Sequence, residues 1–215
     1  MGGKLEERNL QEPHLRASRS ADRLTFTELA RRVRIHLGQE HRYAHCVRVA
    51  RMAENLARVH GANTAKARLA GMLHDLARLY SAERLLRECG ERAIPIDDFA
   101  RRHPTVLHAP LSASLAGELF GVRDDEVLSA IRKHTLGDGQ MSTLDCVVYL
   151  ADGLEPGRQF AERAELAGLA ARDLGAAMHA TIASSLRYLR GRQLPIAPQT
   201  AAAMKTWEVS TGGNS

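Results

Sequence analysis

The chain has 215 residues, 44% of them hydrophobic, and its 30 Lys and Arg against 25 Asp and Glu leave a formal charge of +5. That is enough chain for one sizeable core, and no apolar run approaches the roughly 20 residues that span a bilayer. The first 23 residues lack the apolar segment of a secretory signal, so the expectation is a cytoplasmic protein with no membrane partner. The arginines alternate with acids instead of forming a basic block with interleaved aromatics, so the surplus reads as solvated helix faces and a nucleic-acid partner is not expected, although a local phosphate site stays open. Three cysteines, Cys46, Cys89 and Cys146, show no CxxC spacing, which argues against a disulfide framework and a structural zinc knuckle. Cys46 and Cys146 read as buried thiols.

Residues 1–23 are polar and lack periodicity, the pattern of a mobile N-terminal extension, and His14 within it has no assigned role. From Thr25 the spacing turns helical: Phe26, Leu29 and Val33 share a face, Thr25 and Thr27 are candidate N-caps, and Gly38 is a stop. A second helix runs over 40–60, closed by Gly61, with His45, Val49, Met52 and Leu56 on one stripe and His41 a turn before His45. Asn63 or Thr64 can cap a third, whose core face is Leu69, Ala70, Leu73, Leu76 and Ala77. It carries GMLHDLAR, residues 71–78, so that His74 and Asp75 fall inside an apolar helix.

Ser81 opens a short helix ended by Gly90, and ERAIPIDDFARRHP reads as a loop with one helical turn, His103 lying at the surface in extended backbone before Pro104. LHAPLSASLAGELFG starts a helix with His108 and Pro110 near its first turn. DDEVLSAIRKH places acids first and Lys133-His134 last, which suits the helix dipole. After the loop TLGDGQ, the helix STLDCVVYLADGLEPGRQF, capped by Ser142 or Thr143, aligns Leu144, Val148 and Asp152 before Gly153, Pro156 and Gly157 break it. Helices over about 162–172, 174–190 and 198–208 complete the chain. One domain is expected over 24–196, followed by a partly helical C-terminal extension over 197–215. With no strand alternation, hairpin signal or internal repeat, the class is all-α.

Burying a histidine beside a carboxylate is costly unless both find partners, and a metal ion partners both at once. Taken singly, His45, the pair His74-Asp75 and Asp152 are each explained by a local hydrogen bond. Taken together, one polar group on each of several apolar helices is how bundle proteins build metal sites, with His108 and His134 at helix ends able to lean over a cleft.

The series His45, His74-Asp75, Asp152 resembles the H…HD…D signature of the HD-domain metal-dependent phosphohydrolases. Around it, HRYAHCVRVA, GMLHDLAR, LHAPLSASLAGELFG, IRKHTLGDGQMSTLDCVVYLADGLEPGR and SLRYLRGRQLPI resemble the YqeK-type symmetrical bis(5'-nucleosyl)-tetraphosphatases from about residue 38 to 196. The blocks HT-x-G, MS-x-L and LAD-x-x-EP-x-R narrow the likeness to that group. The resemblance implies an HD helical bundle and a metal, iron first and manganese or another divalent ion next, held by His45, His74, Asp75 and Asp152. His108 and His134 would contact phosphates or complete a binuclear centre, and His41, Thr135 and Arg158 would line the nucleotide pocket. The implied substrate is a dinucleoside polyphosphate, diadenosine tetraphosphate, cut in the middle into two ADP. A homodimer is left open.

A metal in such a site makes a nucleophile of water near neutral pH, and cations stabilise the charge on phosphate oxygens during transfer. Asp75, His108, His134 and Arg78 are the expected catalytic groups, with Lys133 among the phosphate-binding cations. Arg78 departs from the lysine usual in the group: it keeps the charge but cannot give up a proton. The alternatives are an HD phosphohydrolase acting on a nucleoside monophosphate, dNTP or cyclic dinucleotide, and a non-catalytic nucleotide sensor or RNA-associated module.

Overall fold

In the computed structural model, residues 25–211 are described, with side chains to Glu208. The N-terminal extension expected over 1–23 lies outside the described residues. The first helix, α1 (Phe26–Leu37), starts where Thr25 Oγ1 accepts the Glu28 N–H at 3.2 Å, and it ends at Gly38, whose φ of 63° suits a residue without Cβ. Then follow α2 (Glu40–Val59), α3 (Thr64–Leu73, capped by Asn63) and α4 (Ala82–Glu91, capped by Ser81). A short α5 (Asp98–Arg102) and a 3₁₀ turn (Pro104–Leu107) lead into α6 (His108–Phe120). Next come α7 (Asp125–Lys133), α8 (Thr143–Leu154), α9 (Arg163–Ala170), α10 (Leu174–Gly191) and α11 (Pro198–Thr211). Among the described residues there is no strand, and the all-α expectation holds.

The layout is organised around α8. Leu144, Cys146, Val147, Val148, Leu150, Ala151 and Leu154 are all buried, so this helix is apolar on every side, and α2, α3, α7, α9 and α10 pack around it. Its start is held by a reciprocal capping box: Ser142 Oγ accepts the Asp145 N–H at 3.1 Å, and Asp145 Oδ2 accepts the Ser142 N–H at 2.9 Å. Helices α2 and α3 approach closely: a Cβ built on Gly71 would lie 2.8 Å from Ala50 Cα. The C-terminal helix lies against α10, buries Ala203 and is tied to the rest by Thr200 Oγ1 donating to Leu136 O at 2.9 Å and Gln199 to Asp97 at 3.0 Å.

Two local expectations need correction. His74 and Asp75 are not inside a helix: α3 stops at Leu73, and residues 74–79 are turns. The ring Nδ1–H of His74 takes the carbonyl of Gly71 at 2.8 Å, the acceptor a continuing α-helix would offer to Asp75, and the backbone tightens to i→i+3 bonds from Arg78 to Asp75 and from Tyr80 to Ala77. His103 is half-buried rather than on the surface, and stacks obliquely on Phe99 at 4.7 Å between ring centroids.

Replacing Gly71 with alanine should force α2 and α3 apart, because the new methyl meets backbone and not a movable side chain. The expected loss is about 1–3 kcal/mol, or roughly 3–10 °C in Tm by calorimetry. An unchanged Tm would mean that the helix contact yields easily.

Candidate metal centre

Five chain segments meet at one buried point. The first half of α2 brings Arg42, His45 and Arg48, spaced by three so that they share a face. The turn after α3 brings His74 and Asp75, the start of α6 brings His108, the end of α7 brings His134 and Thr135, and the last turn of α8 brings Asp152, with Glu155 and Arg158 just beyond.

The four histidines are oriented alike. His74 Nδ1 donates to Gly71 O at 2.8 Å and His134 Nδ1 to Ile131 O at 2.7 Å, while His108 Nδ1 does the same to Thr105 O. In each case the acceptor lies three residues back, in the last turn of α3 or α7 for His74 and His134 and in the 3₁₀ turn before α6 for His108. His45 Nδ1 instead meets Glu155 Oε1 at 3.1 Å. With every Nδ1 engaged outward, each Nε2 faces inward. His45 and His74 bring their Nε2 atoms to 3.2 Å from each other, and His108 and His134 theirs also to 3.2 Å. Two neutral imidazoles whose lone pairs face each other at this distance need a positive charge near them.

Asp75 lies between the two pairs. Its Oδ2 is 3.6 Å from His45 Nε2 and 3.4 Å from His74 Nε2, and its Oδ1 is 3.4 Å from His108 Nε2 and 3.7 Å from His134 Nε2. Asp152 Oδ1 joins the first pair, at 3.1 Å from His45 and 3.6 Å from His74. The groups His45–His74–Asp152 and His74–Asp75–His134 each present ligand atoms within 4.8 Å of one another. Imidazole and carboxylate donors, their outer nitrogens already tied down, fit a divalent ion such as iron, manganese or zinc.

The electrostatics agree. Burial opposes charge on His74, but the carboxylates of Asp75 and Asp152 outweigh it and raise its pKa to about 10. Burial, with the positive charge of His74 and His108 beside it, pushes His134 down to about 3, and burial also lowers His108. Although burial works the other way, Asp75 is held far below the usual carboxylate range by His74, and Asp152 by its contacts with His45 and His74. The protein alone therefore keeps two carboxylates ionised in its interior and places a proton on His74 where a metal would sit.

His45, His74, Asp75, Asp152, His108, His134 and Thr135 thus come together; the Thr135 hydroxyl lies 3.1 Å from His108 Nε2 and 2.9 Å from His134 Nε2. Arg158 reaches in as well, its Nε donating to the Asp152 carbonyl at 2.9 Å and its Nη2 to Asp152 Oδ1 at 2.5 Å. One expected residue is turned away from the cluster. The Lys133 ammonium is bonded to Gln140 O at 2.6 Å and Asp145 Oδ2 at 3.0 Å, away from the cluster. His41 and Arg78 are exposed, although the charge of Arg78 is felt at His108.

Sequence reasoning passed over Arg42, Arg48 and Glu155. Arg42 Nη1 donates to Asp75 Oδ2 at 2.8 Å. Glu155 is buried and accepts from His45, from the Arg48 guanidinium at 2.5 and 3.1 Å, and from the Gly157 N–H. A Cβ on Gly157 would lie 2.5 Å from the Arg48 guanidinium, so glycine there is what lets the arginine in. The available signal was spacing: Glu155 follows Asp152 by three and Arg42 precedes His45 by three.

The HD domain family matches residues 42–157. The chain belongs to the HD-domain family. Among its relatives, the protein named symmetrical bis(5'-nucleosyl)-tetraphosphatase of Halalkalibacterium halodurans is 35% identical over 170 residues, 79% of this chain and 90% of that protein. The protein of the same name from Bacillus subtilis is 35% identical over 161 residues, 75% of this chain and 86% of its own length. A crystal structure from Clostridium acetobutylicum, described as a predicted HD superfamily hydrolase involved in NAD metabolism, superposes with a TM-score of 0.82 at 29% identity, covering 86% of this chain and 98% of that one. The HD-domain match begins at Arg42 and ends at Gly157, so it takes in every side chain of the cluster except Arg158.

Two outcomes are expected at this centre. Metal binding must displace the His74 proton, so affinity should rise about tenfold per pH unit between pH 7 and 9, read against a competing chelator. The sign is opposite for the metal-free fold: a pKa raised to about 10 contributes stability that is complete below the ordinary histidine value and lost as pH rises through about 10. Replacing Glu155 with alanine should weaken metal binding by about 10–100-fold, with glutamine recovering part of it by keeping an acceptor for His45. Equal affinity in both variants and the parent would remove Glu155 from the centre.

Proposed function

We propose that this chain hydrolyses diadenosine tetraphosphate and related dinucleoside polyphosphates at the central bridge, releasing two ADP, in the cytoplasm. The observation that carries the chemistry is Asp75, one carboxylate whose two oxygens each face a pair of inward imidazole nitrogens. The names of relatives at 35% identity over most of the chain carry the substrate. No helix among the described residues is long and apolar enough to cross a membrane, and the three cysteines are free and buried, which suits a reducing compartment.

His45, His74, Asp152 and Asp75 Oδ2 would hold one divalent cation, iron by preference and manganese next. His108, His134 and Asp75 Oδ1 would hold a second beside it. Such ions supply an acidified water and positive charge for the phosphate oxygens. The protein's part is positional. Asp75 orients the attacking water towards one central phosphorus, the oxygen–phosphorus bond forms opposite the bridging oxygen, and the bridging oxygen leaves with ADP. The Thr135 hydroxyl, bonded to His108 and His134, marks where a phosphate oxygen can bind. Arg158 and the exposed Arg78 add charge along the phosphate chain, with His41 further out on the rim. Because a phosphate leaves readily near neutral pH without being protonated, Arg78 need only act as a charge.

The test is the metal content of protein purified without added metal, followed by product analysis. ADP as the sole product is expected; AMP with ATP, or no turnover with iron or manganese supplied, would overturn the reading. Asp152→Ala should remove metal and activity together. His134→Ala should keep one metal per chain, lose the neighbouring one and lower kcat/KM by about 10–100-fold.

A further inference from the structure

The HD-domain match ends at Gly157, and α11 lies well beyond it. The first turn of that helix nevertheless reaches back to two segments of the domain. Gln199 Nε2 donates to Asp97 Oδ2 at 3.0 Å, and the next residue, Thr200, donates from Oγ1 to Leu136 O at 2.9 Å. A threonine in a first helical turn commonly bonds its own neighbouring backbone. This one is buried, and its hydroxyl crosses to a carbonyl distant in the chain. Around that bond the helix lies close on the loop after His134. A Cβ built on Gly137 would lie 3.3 Å from Ala203 Cβ, and one on Gly139 3.5 Å from Ala202 Cβ. Gly137 has a φ of 68° and donates its N–H to Lys133 O at 2.9 Å, which ends α7 sharply. Further along α11, Thr206 Oγ1 donates to Gly139 O at 2.9 Å.

Both segments lead to the same half of the metal centre. Leu136 comes directly after His134 and Thr135. Asp97 caps α5 by accepting the Ala100 N–H at 2.7 Å, and α5 packs on the 3₁₀ turn, where Thr105 O takes the Nδ1–H of His108. His108 and His134, whose Nε2 atoms lie 3.2 Å apart with the Thr135 hydroxyl bonded to both, therefore stand on two segments that α11 ties together. The other half is secured by different groups: Glu155 meets His45, the Gly71 carbonyl holds His74, and Arg158 bonds Asp152.

We propose that the first turn of α11 is a clasp for the second cation: by tying the loop after His134 to the segment before His108, Gln199 and Thr200 set the spacing of that imidazole pair. The proposal rests on the two-cation reading above. Two neighbouring side chains on one helical turn give the clasp a fixed span, and metal ligands must be held to within about 0.5 Å to keep their ion. Gln199 and Thr200 act through Asp97 and Leu136 and not on the cation itself, so they are positioning residues. Loosening them acts on one cation and spares the other, because the first half has supports of its own.

The experiment uses the full chain stripped of metal and three variants: Thr200→Val, which removes the donor and keeps the shape, Thr200→Ser, which keeps the donor, and Gln199→Ala. Manganese(II) is titrated in and the free ion counted by electron paramagnetic resonance, giving a dissociation constant for each bound ion, with His134→Ala marking which of them is the second. In Thr200→Val the second ion should bind about tenfold more weakly and the first unchanged. Gln199→Ala should show a smaller loss of the same kind, and Thr200→Ser should recover the parent's affinity. Equal weakening of both ions, no weakening, or a serine variant no better than the valine one would overturn the clasp. In the metal-free protein, the imidazole nitrogen resonances of His108 and His134 should move in Thr200→Val while those of His45 and His74 stay in place. That shift in a parent that binds a single manganese ion would uphold the clasp and remove the second cation from the reading instead. Unmoved resonances at all four histidines would overturn the clasp.

Discussion

The interior of this protein depends on one carboxylate. Asp75 is almost wholly buried, stays ionised, and lies within 3.4 to 3.7 Å of four imidazole nitrogens. A charge in that position is tolerable only if the surroundings answer it from several directions. The answers come from α2 through His45 and Arg42, from its own turn through His74, from the start of α6 and from the end of α7. Each of these elements is therefore held to the others by the same charge, on top of the apolar packing around α8.

The imidazoles show how backbone geometry prepares such a site. His74 and His134 sit just past helix C-termini, where carbonyls are left without an intrahelical N–H, and each uses its Nδ1–H to satisfy the carbonyl three residues back; His108, at the start of α6, donates likewise to Thr105 O, which its own backbone N–H already reaches. For His74 and His134 one bond thus caps a helix and fixes a tautomer. His45, in the middle of α2, has no such carbonyl to use, because the helix has claimed them all. Its Nδ1 is met instead by Glu155 from beyond the end of α8, with Arg48 and the narrow space over Gly157 keeping that carboxylate in place. The mid-helix ligand needs a long-range support that the helix-end ligands do not.

Arg158 links two regions that would otherwise be independent. On one side it bonds a member of the cluster, and on the other it forms part of an apolar cavity rimmed with aromatic side chains.

Much of this was legible in the amino-acid order. Periodicity and capping residues located the helix starts to within a residue or two, because caps such as Thr25, Asn63, Ser81 and Ser142 act on their immediate neighbours, whereas the ends of α3 and α11 were missed by three or four residues. The polar residues His45, His74, Asp75 and Asp152 stood out because apolar helix faces do not hold such groups without a reason, and the spacing of H…HD…D made the family recognisable. What the order of residues left undecided depends on distance through space. Lys133 and His134 are adjacent in the chain, yet His134 turns to Asp75 while Lys133 turns to Asp145 and Gln140, since successive residues at a helix end point to different sides. Arg42 read as one more charge on a solvated helix face, and Glu155 only as part of the LAD-x-x-EP-x-R block, until α2 and α8 were packed together. Local interactions therefore determined the elements and the chemical character of the site, whereas which side chains face one another was decided only by tertiary packing, because it depends on how whole helices are rotated and docked and no short stretch of sequence contains that information.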